Sequence, residues 1–338
     1  MAIGASAGGV EALMRLVRSL PPSFAAPIVI VLHLPSAAIS RLPEILTRTG
    51  ALRATAATHG APLEPGVILV APPDRHVISL DHRVGLVEGP RENGVRPAID
   101  PLFRSVARTF GEGAIGVILS GTLDDGTAGT AAIHAAGGIT VAQEPDDAIC
   151  PGMPQSAIEN AHVDHVASAE DIADLLVSLV GRPPADARRT KRAPTGSSKA
   201  TDLVCPECGG VLRVFDEHGV VRFHCRVGHN YSPETLYAAQ DARLEAGLWA
   251  AIRALEESAS LARRLANGAR QRGAVATAAR FDARELEAAE RADLIRSAIL
   301  TLSDLDETPD IAEPEPVTSE DDRSRELLGI DEREPESA

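Results

Sequence analysis

Near its start the chain reads Ile3-Gly4-Ala5-Ser6-Ala7-Gly8-Gly9, a serine held between glycines. Glycine lets the backbone turn sharply from a strand into a helix, and such a turn presents a serine hydroxyl at the edge of a sheet, beside backbone N–H groups. The spacing fits Gly-x-Ser-x-Gly, a pattern found around catalytic serines. The same turn also suits phosphate binding or a tight strand–helix connection. The residues at the other strand ends must separate these alternatives.

Short apolar runs alternate with helical patterns up to about residue 180. The strand-like runs, nearly continuous in Val, Ile, Leu and Ala, occupy 27–33, 67–71, 113–120, 138–142 and 163–167. The helix-like stretches occupy 9–20, 101–110, 127–136 and 169–180. Alternation of this kind predicts an α/β fold with a doubly wound, mainly parallel sheet. Residues 76–88 are typical instead of a hairpin that turns near Asp81-His82 and forms an antiparallel edge.

The organisation of the chain changes after residue 181, so we assign the catalytic-type domain to 1–181. Residues 182–202 are basic and rich in Pro, Gly and Ser, which indicates a flexible, solvated linker rather than a contact site for nucleic acid. A small module rich in Cys and His follows at 203–230. Apolar residues at helical spacing over 232–302 predict a helical hairpin, packed as core or forming a helix-mediated dimer. Residues 303–338 hold 14 acidic and 3 basic residues, a composition typical of a disordered tail.

Composition limits the function classes. The 338 residues carry a net charge of −15, which argues against a general nucleic-acid binder. No apolar run is long enough to span a membrane, and no signal peptide precedes Ser6. We therefore expect a cytoplasmic protein without membrane insertion. Only nine residues are aromatic, so the core must consist mainly of Ala, Val, Leu and Ile.

Two further strand ends carry residues that a serine nucleophile needs. His33 follows the apolar run Ile28–Leu32, and the segment 115–126 is a second buried strand that runs into Asp124-Asp125-Gly126. Active sites of doubly wound sheets lie at the carboxyl ends of strands. A base that takes the serine proton and a carboxylate that orients the base complete such a site. His33 can instead be a satisfied core histidine, and either aspartate can simply cap the next helix.

A set of motifs occurs in an order that resembles the catalytic domain of the CheB family, the chemotaxis protein-glutamate methylesterases. The motifs are Ile3–Leu13, Val31–Pro35, Ala71–His76, Arg96–Phe103, Gly116–Gly121 with Asp125-Gly126, and Gly152–Pro154. The resemblance covers roughly residues 1–180. It implies the CheB-like fold and hydrolysis of glutamate methyl esters on cytoplasmic chemoreceptor helices, with release of methanol. Some members of the family also deamidate glutamines.

The resemblance also assigns roles to residues. Ser6 resembles the nucleophile, His33 the general base, and Asp125 the orienting carboxylate, while Asp124 occupies a more variable position. The backbone N–H groups of Ala7 and Thr122 are the candidate oxyanion donors. No cofactor is expected for catalysis. Familiar members carry an N-terminal receiver domain, and we expect a stand-alone form without one because the serine is the sixth residue.

The Cys/His segment contains Cys205-x2-Cys208 followed by Cys225-x3-His229, the spacing of a structural Cys3His zinc site. All four ligand positions are protein side chains, so the expected zinc is structural rather than catalytic. Turns at Gly209-Gly210 and His218-Gly219 around a short β-ribbon predict a zinc-ribbon-like unit. The expected partners are methylated chemoreceptors and other chemosensory proteins. Two alternatives to the methylesterase remain open: a binding module of a chemosensory pathway, and an esterase that acts on a different substrate.

Overall fold

A computed structural model describes residues 1–35, 40–180 and 198–305. By its internal contacts the chain divides into two units, residues 1–244 and 245–338. The expected linker at 182–202 lies outside the described residues up to 197, and so does the expected acidic tail from 306 onward.

In the described residues up to 180, the structure has nine strands and six α-helices. The strands are β1 (Ala2–Ala5), β2 (Ile28–Leu32), β3 (Arg53–Ala56), β4 (Val67–Val70), β5 (His76–Leu80), β6 (Arg83–Val87), β7 (Ile115–Ile118), β8 (Ile139–Gln143) and β9 (His165–Ala167). The helices are α1 (Gly9–Ser19), α2 (Leu42–Thr49), α3 (Ile99–Phe110), α4 (Thr127–Ala135), α5 (Gly152–Asn160) and α6 (Ala169–Leu179).

Seven strands form one parallel sheet in the order β3-β4-β2-β1-β7-β8-β9, which confirms the doubly wound fold. Successive residues of a strand face opposite sides of the sheet. Accordingly Ile3 packs in one buried cluster with α1 and α6, whereas Ala2 packs in the other with α3. The chain moves from β1 to β2 on one side and reaches β7 on the other side, so the order reverses between β1 and β7. Doubly wound proteins bind their ligands at such a switch point.

The hairpin at 76–88 is present as β5 and β6 and turns at Asp81 and His82, both with positive φ. The expectation that it forms an antiparallel edge of the main sheet is wrong. It forms its own two-stranded sheet and packs on α3, where the Ser105 hydroxyl accepts the Ser79 N–H at 2.8 Å.

A third sheet, antiparallel and four-stranded, follows residue 198. Its strands are β10 (Lys199–Val204), β11 (Val211–Glu217), β12 (Val220–Cys225) and β13 (Asn230–Tyr231). The first strand begins at Lys199, inside the segment assigned to the linker. We call residues 199–232 the Cys/His module. Its buried cluster includes Leu212, Phe223 and Tyr231, and the whole module belongs to the unit 1–244 together with the parallel sheet.

Two long helices complete the described chain, α7 (Pro233–Gln271) and α8 (Val275–Leu305). In the second unit Ile252 is buried in one cluster with Ala292 and Ile299, and the Arg296 guanidinium binds Glu256 at 2.6 Å. The predicted hairpin is therefore present. The apolar residues at helical spacing over 232–302 are not all core, because four of the leucines are exposed: Leu244, Leu265, Leu286 and Leu294. Within the described ranges, no helix is both long and apolar enough to cross a bilayer.

Candidate active site

The predicted nucleophile and base lie side by side because their strands are neighbours in register. Ala5 of β1 pairs with Leu32 of β2, so Ser6 and His33 are the next residues on adjacent strands. The His33 N–H donates to the Ala5 carbonyl at 3.1 Å, and the Ser6 N–H donates to the Ser120 carbonyl at 2.9 Å. Both side chains are partly exposed to solvent. These bonds fix the two backbones at the switch point of the sheet.

His33 is paired with the second of the two candidate aspartates. The distance between His33 Nε2 and Asp125 Oδ2 is 2.8 Å. Because a carboxylate accepts, Nε2 carries the proton, and Nδ1 of the neutral ring keeps its lone pair. The ring therefore presents an acceptor on its other side, as a general base requires. Among the described residues, no hydrogen bond joins Ser6 Oγ to His33, a contact that often tightens only when substrate is bound.

Asp125 is buried and accepts more than the imidazole proton. Its Oδ2 also accepts the Ile99 N–H at 2.7 Å, and its Oδ1 accepts from the Asn93 side-chain amide at 2.7 Å. Burial acts to raise the pKa of Asp125, but the hydrogen bonds from His33, Ile99 and Asn93 outweigh it and hold the pKa at about 2. Asp125 is thus a fixed anion at neutral pH.

The Asp124 side chain contacts residues beyond the parallel sheet rather than His33. Its Oδ1 accepts from the hydroxyls of Ser232 and Thr235, each at 2.5 Å. It makes no side-chain cap on α4, and the left-handed Gly126 precedes that helix instead. Of the two adjacent acids, only Asp125 contacts His33 within the described chain.

The turn after β1 depends on glycines that allow close packing. Gly8 has a φ of 73°, and a Cβ at this position would lie 2.5 Å from Ser120 Oγ. A Cβ at Gly121 would lie 2.9 Å from the Ser6 Cβ and would also collide with the Met153 sulfur. The loop after β7 can therefore lie against the serine only because position 121 has no side chain.

The predicted oxyanion donors flank this contact. Ala7 and Thr122 are both exposed, and neither backbone N–H has a partner among the hydrogen bonds of the described residues. Because free backbone N–H groups can stabilise a developing negative charge, both remain candidate oxyanion donors.

Sequence reasoning missed residues that hold these loops. The buried Ser120 donates its hydroxyl to the Ala7 carbonyl at 2.7 Å and accepts the Cys150 N–H at 3.0 Å. The side-chain oxygen Oε1 of Gln143 accepts the Ser120 N–H at 2.9 Å. Asn93 was missed as well. The signal available for Ser120 was its place directly after an apolar strand, next to Gly121.

The four predicted metal ligands come together in the Cys/His module. The atoms that can bind a metal, one from each of Cys205, Cys208, Cys225 and His229, all lie within 4.8 Å of one another. His229 Nδ1 is 3.6 Å from Cys205 Sγ and 3.5 Å from Cys225 Sγ, and Cys208 Sγ is 3.6 Å from Cys225 Sγ. Zn–S bonds of about 2.3 Å at tetrahedral angles place sulfur atoms roughly 3.8 Å apart, so the donor set fits zinc.

Comparison with known proteins identifies a family for the first half of the chain. The family described as CheB methylesterase matches residues 1–176. The chain belongs to the CheB methylesterase family. This CheB-family chain is 33% identical to the crystallised CheB methylesterase catalytic domain of Thermotoga maritima, with a TM-score of 0.51, over 53% of this chain and 97% of that one.

Full-length relatives show how much of each protein is shared. A protein-glutamate methylesterase/protein-glutamine glutaminase of Anaeromyxobacter dehalogenans is 42% identical over 184 residues, which are 54% of this chain and 54% of that protein. A putative enzyme of the same name from Leptospira interrogans is 38% identical over 178 residues, 52% of this chain and 92% of that protein. The chain therefore spans about half the length of the first of these relatives.

Proposed function

We propose that the chain is a protein-glutamate methylesterase that hydrolyses glutamate γ-methyl esters on chemoreceptor-type proteins. The observation that carries the proposal is the 2.8 Å pair of His33 Nε2 and Asp125 Oδ2, beside Ser6 at the switch point. The names of the relatives supply the substrate class. Glutamine deamidation uses the same attack on an amide carbonyl, so it belongs to the proposal.

In the proposed reaction Ser6 Oγ attacks the ester carbonyl carbon and its proton moves to His33 Nδ1. The N–H groups of Ala7 and Thr122 stabilise the oxyanion of the tetrahedral intermediate. Asp125 stabilises the imidazolium through Nε2–H. The intermediate collapses to an acyl-enzyme as His33 returns the proton to the departing methoxide, which leaves as methanol. Water, deprotonated by His33, then attacks the acyl-enzyme, and its collapse frees the glutamate and restores Ser6.

The test is methanol release from a methylated receptor fragment by the full chain and by Ser6→Ala. We expect release by the wild type and a loss of about 10⁴-fold or more in the variant, because removal of a triad nucleophile abolishes covalent catalysis. Release by neither protein contradicts the proposal. Turnover of small esters alone supports an esterase of another substrate, and signalling that persists after Ser6→Ala supports a binding module.

We also propose a structural zinc ion on Cys205, Cys208, Cys225 and His229. The donor spacing supports it, and so does a carboxylate outside the four donors: Glu207 Oε2 lies 3.1 Å from His229 Nε2. A carboxylate on the far ring nitrogen fixes the tautomer of a metal-binding histidine, here with Nδ1 free for the metal. The ion would hold β10 to β12 and β13 where the small apolar cluster of the module is insufficient.

Two further expectations stay predictions. A cytoplasmic location rests on the proposed substrate, and the exposed leucines of α7 and α8 are consistent with a helix-mediated dimer.

A further inference from the structure

A buried arginine of the Cys/His module contacts the parallel-sheet domain. Arg222, in β12, is 1% exposed and donates through Nη1 to Asp100 Oδ2 at 2.7 Å. Its Nη2 lies 3.4 Å from Glu92 Oε2. Asp100 is fully buried at the start of α3, and its other oxygen accepts the Gly129 N–H at 2.7 Å. The guanidinium therefore neutralises a carboxylate that has no access to water.

Asn93 connects this contact to the triad carboxylate. Its Nδ2 donates to Asp100 Oδ2 at 3.0 Å and to Asp125 Oδ1 at 2.7 Å. Its Oδ1 accepts the Ser232 N–H at 3.0 Å, with the Ser232 hydroxyl at 3.2 Å and Arg222 Nη1 at 3.4 Å. One end of the amide thus faces the module and the other faces Asp125.

The partners fix the orientation of this amide. The Asp100 and Asp125 carboxylates are acceptors, so the end of the amide that faces them must be the NH₂ group. The Ser232 N–H and the Arg222 guanidinium are donors, so the other end must be the oxygen. The main chain is held as well, because the Asn93 N–H donates to the Asn230 carbonyl at 2.7 Å and the Asn230 N–H donates to the Arg91 carbonyl at 3.4 Å. Asn93 has a φ of 52°, in the left-handed region that asparagine tolerates better than most residues. Both its backbone and its side chain are therefore positioned by residues 222–232.

We propose that the Cys/His module positions the hydrolytic site: Arg222 and Ser232 orient Asn93, which holds Asp125 on His33. The inference rests on the proposed function, because it needs Ser6 to be activated by this triad. The three residues are positioning residues that do not touch substrate. The module then sets the rate of the chemical step rather than the choice of ester.

The test measures how fast a fluorophosphonate probe labels Ser6 in the full-length chain, since this reaction needs no receptor substrate. We expect Asn93→Ala and Arg222→Met to slow labelling by about tenfold or more, because small displacements of catalytic groups cost one to two orders of magnitude. Arg213→Met is the matched control. Arg213 lies on the neighbouring strand β11, and its guanidinium binds only Ser198 in the described chain. It should label at the wild-type rate.

A second readout follows the triad hydrogen bond itself. The Nε2 proton of His33 gives a low-field NMR resonance, assigned by its disappearance in His33→Gln, and it should shift in Asn93→Ala and Arg222→Met but not in Arg213→Met. Arg222→Met leaves the buried Asp100 carboxylate unpaired and so can fail to fold. In that case the double variant Arg222→Met with Asp100→Asn, which removes both charges, is used in place of the single variant.

The outcomes separate the two proposals. The positioning role is overturned if the wild type labels, the Asn93→Ala and Arg222→Met variants label within about twofold of the wild-type rate, and the His33 resonance does not shift. That outcome does not contradict the proposed esterase. Equal losses in Arg213→Met overturn the positioning role too, because a general loosening of the module then explains them. A wild type that the probe does not label, although the His33 resonance shifts as expected, contradicts the proposed function while the hydrogen-bond path through Asn93 holds.

Discussion

Asp124 and Asp125 are neighbouring buried carboxylates that bind different parts of the chain. Asp125 accepts from the His33 imidazole and from Asn93, whereas Asp124 accepts from hydroxyls of Ser232 and Thr235 at the start of α7. Both acids lie in the turn between β7 and α4, where each side chain binds different partners. The strand-end pattern left both aspartates as candidates, the family resemblance favoured Asp125, and the contacts agree with that choice.

We expect Asp125→Asn to lower kcat for the methyl ester by about 10³- to 10⁴-fold, because an amide stabilises the wrong tautomer and no longer balances the imidazolium. Asp124→Asn is the matched control. Its side-chain oxygen still accepts from Ser232 and Thr235, so kcat should stay within about tenfold of the wild type. Steady-state methanol release measures both. Equal losses in the two variants would show that Asp125 has no special role.

At the scale of elements, the segment between β6 and α3 is held by a buried histidine. Ala98 N–H donates to His76 Nδ1 at 3.2 Å, so Nδ1 is unprotonated and Nε2–H donates to the Pro90 carbonyl at 2.9 Å. These two bonds fix both ends of the segment that carries Asn93. Burial lowers the pKa of His76 below its usual value of 6.5.

This shift predicts the sign of one pH dependence. Below pH 6.5 the unfolded chain binds a proton at His76, whereas His76 of the folded chain stays neutral to lower pH. The contribution of His76 to the free energy of unfolding is therefore complete above pH 6.5 and falls as the pH is lowered. We expect the free energy of unfolding to fall less steeply between pH 7.5 and 5.5 in His76→Gln than in the wild type. Denaturant unfolding at several pH values measures the slopes. A slope at least as steep in the variant would contradict the assignment.

The sequence predicted elements where the pattern is local. The continuous apolar runs of β2 and β7 predicted buried parallel strands, with His33 and Asp125 following them, and the glycines around Ser6 predicted its turn from strand to helix. β3 was missed because Arg53–Ala56 alternates Arg and Thr with two alanines, and only Ala54 is buried, as suits an edge strand. α2 and α5 were not predicted.

The contacts around Asn93 had no local signal. Its amide meets Arg222 and Ser232 from 129 and 139 residues further along the chain, and only the docking of two sheets brings them together. Arg222 lies in a short strand, and the residue pattern of that strand does not predict that its side chain is buried against Asp100.

At the scale of the whole molecule, the proposed metal ion stabilises the part of the chain that reaches Asn93. We expect the purified full-length wild type to hold about one zinc per chain and Cys205→Ser to hold much less and to unfold at lower temperature, because ligand binding to the folded state adds directly to its stability. Cys150→Ser is the control, since Cys150 lies outside the four-donor cluster. Elemental analysis and thermal unfolding measure both effects.

Zinc-free wild type purified without chelators would count against the site. Equal metal loss in Cys150→Ser would count against the four assigned ligands.

The dependence of Asn93 on residues 222–232 has a consequence for biosynthesis. A ribosome that has released the first 181 residues has made Ser6, His33 and Asp125, but none of the groups that bind Asn93 Oδ1. At about 5–20 residues per second, the nascent chain waits on the order of seconds before Ser232 emerges and the amide can be oriented. Ser6, His33 and Asp125 thus form a complete site only after residues 222–232 have been translated.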